Sequence, residues 1–73
     1  MTIEKTRSGN IPEFIAEQSE SGRHETWAVR FADEIDSVPD DDIIKALSSV
    51  SWLWSPKIQR TGHKTVRYSG YID

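Results

Sequence analysis

His24 and Glu25 stand side by side, the first half of the pattern by which two histidines one helical turn apart hold zinc beside a glutamate base. The second histidine would fall at position 28, which is alanine, so that chemistry is excluded. The other histidine, His63, lies between Gly62 and Lys64, a loop setting in which an imidazole is ordinarily solvated. Asp40, Asp41 and Asp42 are contiguous, whereas a calcium loop alternates its ligands and needs a glycine at the sixth position and a glutamate at the twelfth. The chain has no cysteine, which removes thiol nucleophiles, disulfides and cysteine zinc sites together. Ser48, Ser49 and Ser51 have no spacing that suggests an activating base, and the phosphate-cradling and nucleophile-elbow glycine motifs are missing. A chain of 73 residues also has little room for a substrate pocket of roughly 300 Å³ beside its core. The expectation is a protein that is not an enzyme and holds no metal or cofactor.

Binding chemistry remains, and charge divides it. Residues 1–50 carry five Lys or Arg against eleven Asp or Glu, a net −6, whereas residues 51–73 carry four against one, a net +3. The leading candidate contact is the acidic run Asp33, Glu34, Asp36, Asp40, Asp41 and Asp42, joined by an aromatic anchor from Trp52 or Trp54. Aligned carboxylates can imitate a phosphate backbone, and opposite charge speeds encounter with a basic protein. The plain reading of the same acids is a solvated loop and a helix cap. Small, acidic, cysteine-free, aromatic-rich domains are common among phage and mobile-element accessory proteins that inhibit host machinery. On that compositional analogy the function expected is binding and modulation of a host protein through the acidic surface. The alternative is weak nucleic-acid binding by Lys57, Gln59, Arg60, His63, Lys64 and Arg67, with Tyr71 available to stack on a base. About four phosphate contacts would make such binding weak and sensitive to salt. A third reading is a homo-oligomer that completes its core against a second copy, which a chain this small favours. No apolar run approaches the ~20 residues of a membrane span, and MTIEKTRSGN lacks the apolar stretch of a signal peptide, so a cytoplasmic location is expected.

The elements that must position these residues follow from hydrophobic period. Residues 1–10 read as a flexible tail with a few residues of edge strand around Ile3, and residues 11–73 as a single small domain. Pro12–Ser19 and His24–Ala32 read as a hairpin with its loop at 20–23, so that Phe14 faces Val29, Ala16 faces Trp27, Glu13 meets Arg30 and Glu17 meets Thr26. The rival is helical, because Trp27, Phe31 and Ile35 are spaced four apart, with a short helix over 11–18 as its companion. The β-branched and aromatic content favours the strands.

Ser37 reads as the cap of a helix running from about Pro39 to Val50, with three aspartates at its positive end and Ile43, Ile44, Leu47 and Val50 along one stripe. The second hairpin has Thr61-Gly62-His63 as its loop. Arg60 then faces Lys64, Gln59 faces Thr65, Ile58 faces Val66 and Lys57 faces Arg67. Ile58, Val66 and Tyr68 share its apolar side, and Lys57, Gln59, Thr65 and Arg67 its polar side. Trp52 and Trp54 alternate toward one side of the lead-in, with at least one of them expected in the core. The fold predicted is α+β in the order ββαββ: two hairpins flanking one amphipathic helix, which covers one face of a mainly antiparallel four-stranded sheet.

Overall fold

A computed structural model describes residues 1–20 and 22–72, with Glu20 described by its backbone; Ser21, read from the sequence as part of the first hairpin loop, and Asp73, read as part of the single domain, lie outside the described residues. The elements in chain order are β1 (Thr2–Lys5), β2 (Phe14–Glu20), β3 (His24–Phe31), α1 (Asp40–Ser48), β4 (Trp54–Arg60) and β5 (Thr65–Tyr71). The strands form one antiparallel sheet in the order β1-β2-β3-β5-β4, with α1 packed on one face. The α+β class and the two hairpins around a single helix are therefore as expected. The sheet has five strands rather than four, because Thr2–Lys5, within the stretch read as a tail, pair with β2 as an edge strand.

Registers align the side chains in rows across the sheet. Ile3, Ala16, Val29, Val66 and Arg60 form one row on the helix side, and Gln18, Trp27, Tyr68 and Ile58 form the next. With Phe14, Phe31, Ile43, Leu47 and Leu53 they enclose the core, in which the Phe14 and Phe31 rings meet at 5.2 Å between centroids. Ile35, spaced as the third member of a helical stripe, is buried in the loop after β3. The strand reading of His24–Phe31 holds because alternate residues Trp27, Val29 and Phe31 enter the core while Ala28 and Arg30 face out.

Both hairpin registers differ from expectation by two residues. Phe14 pairs with Phe31 and Ala16 with Val29, so Trp27 meets Gln18, Arg30 meets Ile15 and Thr26 meets Glu20. An irregularity between Gln18 and Glu20 absorbs a residue near the loop. Glu13 precedes β2, and its carbonyl accepts the Ala32 N–H at 2.9 Å. In the second hairpin Arg60 pairs with Val66, Gln59 with Arg67, Ile58 with Tyr68 and Lys57 with Ser69. The loop is longer than expected, and it is also tied to the last residue of β3 and to the chain that follows. Phe31 N–H donates to the Lys64 carbonyl at 2.7 Å and Ile35 N–H to that of His63 at 2.9 Å. The expected like-charge pairs, Arg60 with Lys64 and Lys57 with Arg67, do not form. A shift of two preserves every face, so Ile58, Val66 and Tyr68 still share the inner side, and Lys57, Gln59, Thr65 and Arg67 the outer.

The helix starts at Pro39, not Ser37, as its N-cap, with no side-chain cap. Proline fixes φ at −62°, and Asp40, Asp41 and Asp42 bring negative charge to the exposed N–H groups of the first turn. Ile43 and Leu47 are fully buried and Ile44 and Val50 half-buried, each contributing about 1.5–3 kcal/mol at full burial. Arg60 fixes the entry to this helix. Its guanidinium donates to the Ile35 carbonyl at 2.7 Å, to the Val38 carbonyl at 2.5 Å and to Asp40 Oδ1 at 2.8 Å. Arg60→Lys is expected to lower stability by about 1–2 kcal/mol in urea unfolding, because a single ammonium cannot reproduce the planar fork. Unfolding midpoints equal to wild type would refute this.

Candidate binding site

The acidic run lies at the N-terminal end of α1, and most of its carboxylates are engaged. Asp33 pairs with Arg7 at 2.9 Å, Asp40 with Arg60 at 2.8 Å and Asp36 with a ring nitrogen of His63 at 2.9 Å. Asp42 accepts from the Asn10 side-chain amide at 3.0 Å. Glu34 and Asp41 are exposed. Trp52 and Trp54 lie beyond the other end of the helix, with the whole of β4 separating Trp54 from Arg60 and Asp40. A seven-residue strand spans roughly 20 Å, about the width of the molecule. The two parts of the leading candidate site are therefore not brought together.

Both tryptophans are exposed, Trp52 at 61% and Trp54 at 56%, against the expectation that at least one enters the core. The core indole is Trp27, and Leu53 between the two is the residue that turns inward. The Trp52 and Trp54 rings meet edge to face with centroids 4.7 Å apart. Trp54 pairs in register with Tyr71, which pairs in turn with His24; Tyr71 is 54% exposed and its ring meets the His24 ring at 5.0 Å. Four aromatic rings thus occupy one corner of the sheet face that α1 leaves open.

Backbone and side-chain contacts hold this corner. Ser51 Oγ donates to Glu25 Oε1 at 2.6 Å, and the same oxygen accepts the Trp27 indole N–H at 2.5 Å. Tyr68 Oη donates to the Ser51 carbonyl at 2.9 Å. The Leu53 side chain crosses over Gly70, where an added Cβ would lie 2.6 Å from Leu53 Cβ and 3.0 Å from the Trp54 carbonyl. Gly70 is therefore the residue that lets the segment Ser51–Trp54, a strap between α1 and β4, lie flat on the sheet. Ser55 follows with φ at +49°, a left-handed conformation costing roughly 1–2 kcal/mol, at an irregularity in β4 between Trp54 and Lys57. Pro56 occupies this edge strand, where its missing N–H leaves no ladder bond broken. Sequence reasoning missed Glu25, Ser51 and Tyr68. One signal was available, since a core tryptophan needs an acceptor for its N–H and Glu25 lies two residues before Trp27 on the same strand face.

Burial raises the Tyr68 hydroxyl above the ordinary value of 10.0, and the nearby Glu25 charge acts in the same direction. The neutral phenol is thus the folded form. Its contribution to stability is whole below pH 10 and is expected to decline as pH rises through the elevated folded value, which Tyr68→Phe removes. Alkaline unfolding curves of the two proteins, superimposable above pH 10, would contradict this.

Of the residues in the alternative site, Lys57, Gln59, Arg67 and Tyr71 share the open face. Arg60 does not, because its row lies on the helix side. His63 and Lys64 are exposed in the loop, His63 against Asp36. Among the described residues, neither Lys57 nor Arg67 is in an ion pair. No group of three or more His, Cys, Asp or Glu among them could hold a metal ion, and no helix among them is long and apolar enough to cross a membrane. The chain matches no family model, and comparison with curated proteins and solved structures finds none significantly similar to it.

Proposed function

We propose that the protein is a non-enzymatic binding module that docks a protein partner through the Trp52–Trp54 corner. The observation that carries this is the exposure of two tryptophans on a backbone held by hydrogen bonds and by Leu53. Large apolar side chains that are both exposed and pre-ordered lose little entropy on binding. Tryptophan, tyrosine and arginine dominate the energetics of protein interfaces, and Trp52, Trp54, Tyr71 and Arg67 supply all three on one side of the molecule. An acidic end whose Asp33 and Asp40 are already paired with Arg7 and Arg60 has less charge to offer a basic partner. A host-cell protein is the occupant this reading favours over a second copy, since a self-docking corner would bring Lys57 and Arg67 toward their own kind.

The test is affinity capture on wild-type, Trp52→Ala/Trp54→Ala and Asp40→Lys/Asp41→Lys baits, from nuclease-treated lysate, with the sedimentation of the free protein measured alongside. A protein retained by the wild type and the aspartate variant but lost with the tryptophan variant supports the corner. A protein lost only with the aspartate variant moves the contact to the acidic end, and a concentration-dependent dimer abolished by the tryptophan variant makes the partner a second copy. A second reading has its own observation, the shared face of Lys57, Gln59, Arg67 and Tyr71. It requires single-stranded oligothymidine to bind at low salt and to be released as salt rises. The formal charge of −3 weighs against it, and the expected anisotropy titration is flat.

A further inference from the structure

Glu25 is a carboxylate at 7% exposure in the inner face of the central strand, where an apolar residue would satisfy the pattern of β3. Burying a carboxylate is costly unless its oxygens accept hydrogen bonds. One of them accepts two, from the Trp27 indole and from the Ser51 hydroxyl. The first bond is internal to the core. The second leaves the sheet and takes hold of the segment leaving α1, one residue before Trp52. Tyr68, paired across β3 and β5 with Trp27, holds the same residue by donating to the Ser51 carbonyl. Ser51 is thus gripped at its hydroxyl and its carbonyl by two residues of adjacent central strands, while its N–H donates to the Leu47 carbonyl at 3.0 Å. Beyond it come Trp52, the inward Leu53 and Trp54.

We infer that Glu25 and Tyr68 are positioning residues for the binding corner: through Ser51 they set the geometry in which Trp52 and Trp54 meet edge to face and face outward. The inference rests on the proposed protein-docking function only for its purpose; the positioning itself is readable in the free protein. A purely structural role would confine the effect of these groups to global stability. A positioning role separates the two, because the helix, the hairpins and the Leu53 contact persist without the Ser51 bonds while the strap carrying Trp52 loosens.

The experiment uses Ser51→Ala, Tyr68→Phe and the double variant, each of which deletes a bond to the strap and leaves the Trp27–Glu25 bond in place. Three quantities are measured: the thermal midpoint, the far-ultraviolet exciton circular dichroism of the paired indoles, and hydrogen exchange at the amides of residues 52–54. Trp52→Phe defines the signal without the pair. The expected result for the double variant is a folded protein whose exciton signal falls toward that of Trp52→Phe. Exchange at residues 52–54 should rise roughly tenfold, about 1.4 kcal/mol of local opening, with β2 and β3 unchanged. An exciton signal and local exchange equal to wild type in a folded variant overturns the inference. If the double variant does not fold, Ser51→Ala alone is read by the same two outcomes. Loss of capture by Trp52→Ala/Trp54→Ala tests the docking function separately, so a failed partner assay leaves this result standing and an unchanged exciton signal leaves docking standing.

Discussion

Replacing Trp52 and Trp54 together by alanine is expected to weaken partner binding about 30- to 1,000-fold, ~2–4 kcal/mol, while the domain stays folded. The reason lies in what each ring touches. At 61% and 56% exposure the two indoles bury much of their contact area on each other, outside the cluster formed by Phe14, Trp27, Phe31, Ile43, Leu47 and Tyr68. Deleting them removes an edge-to-face pair of about 0.5–1.5 kcal/mol and leaves no internal cavity. On a bound partner the same deletion would empty the centre of the interface. Affinity measured by titration calorimetry against the captured protein, set beside the thermal midpoint, separates the two effects. An affinity within threefold of wild type would remove the aromatic corner from the binding surface.

Leu53→Ala is the largest stability change expected of any strap residue. Leu53 is 2% exposed and lies over Gly70, so its truncation opens a space the flat backbone beneath cannot fill. The expected loss is about 2–5 kcal/mol in chemical unfolding. In a domain of this size each kcal/mol moves the thermal midpoint by roughly 4–8 °C. Gly70→Ala approaches the same contact from the other side. Its methyl would meet Leu53 Cβ, which is backbone-fixed, and the Trp54 carbonyl, so the strap must lift. Overpacking of this kind costs about 1–3 kcal/mol. A Leu53→Ala protein that unfolds within 0.5 kcal/mol or so of wild type would show that the strap is not anchored there.

The outline of the fold was legible because hydrophobic alternation fixes which side of a strand is wet. Phe14, Ala16, Trp27, Val29, Ile58, Val66 and Tyr68 all fall on the expected inner face. Alternation repeats every two residues, however, so it cannot distinguish registers that differ by two. Both hairpins use that freedom, the first through its irregularity at Gln18–Glu20 and the second through loop carbonyls drawn toward Phe31 and Ile35. The tryptophans illustrate a different limit. Their spacing put them on one side of the strap, but which side depends on Leu53 finding the gap above Gly70, a contact between residues far apart in sequence. Arg60 was grouped with the candidate nucleic-acid-binding residues by its neighbours, whereas carbonyls of the loop before α1, at Ile35 and Val38, draw it inward. Ser37 has a good capping side chain, but Pro39, with φ already helical, starts the helix two residues later.

The sheet order has a kinetic consequence. β3 is central, and its second neighbour is β5, whose Tyr71 pairs with His24 although the helix and β4 lie between them in the chain. Until the last strand inserts between β3 and β4, the N-terminal three-stranded meander has a bare flank, and Trp27 and Val29 lack their cross-strand partners Tyr68 and Val66. Closing so long a stretch of chain is slow relative to forming either hairpin or the helix. During synthesis the early strands emerge first and wait in this unfinished state, a period in which their open edge is available to a chaperone or to a neighbouring nascent copy.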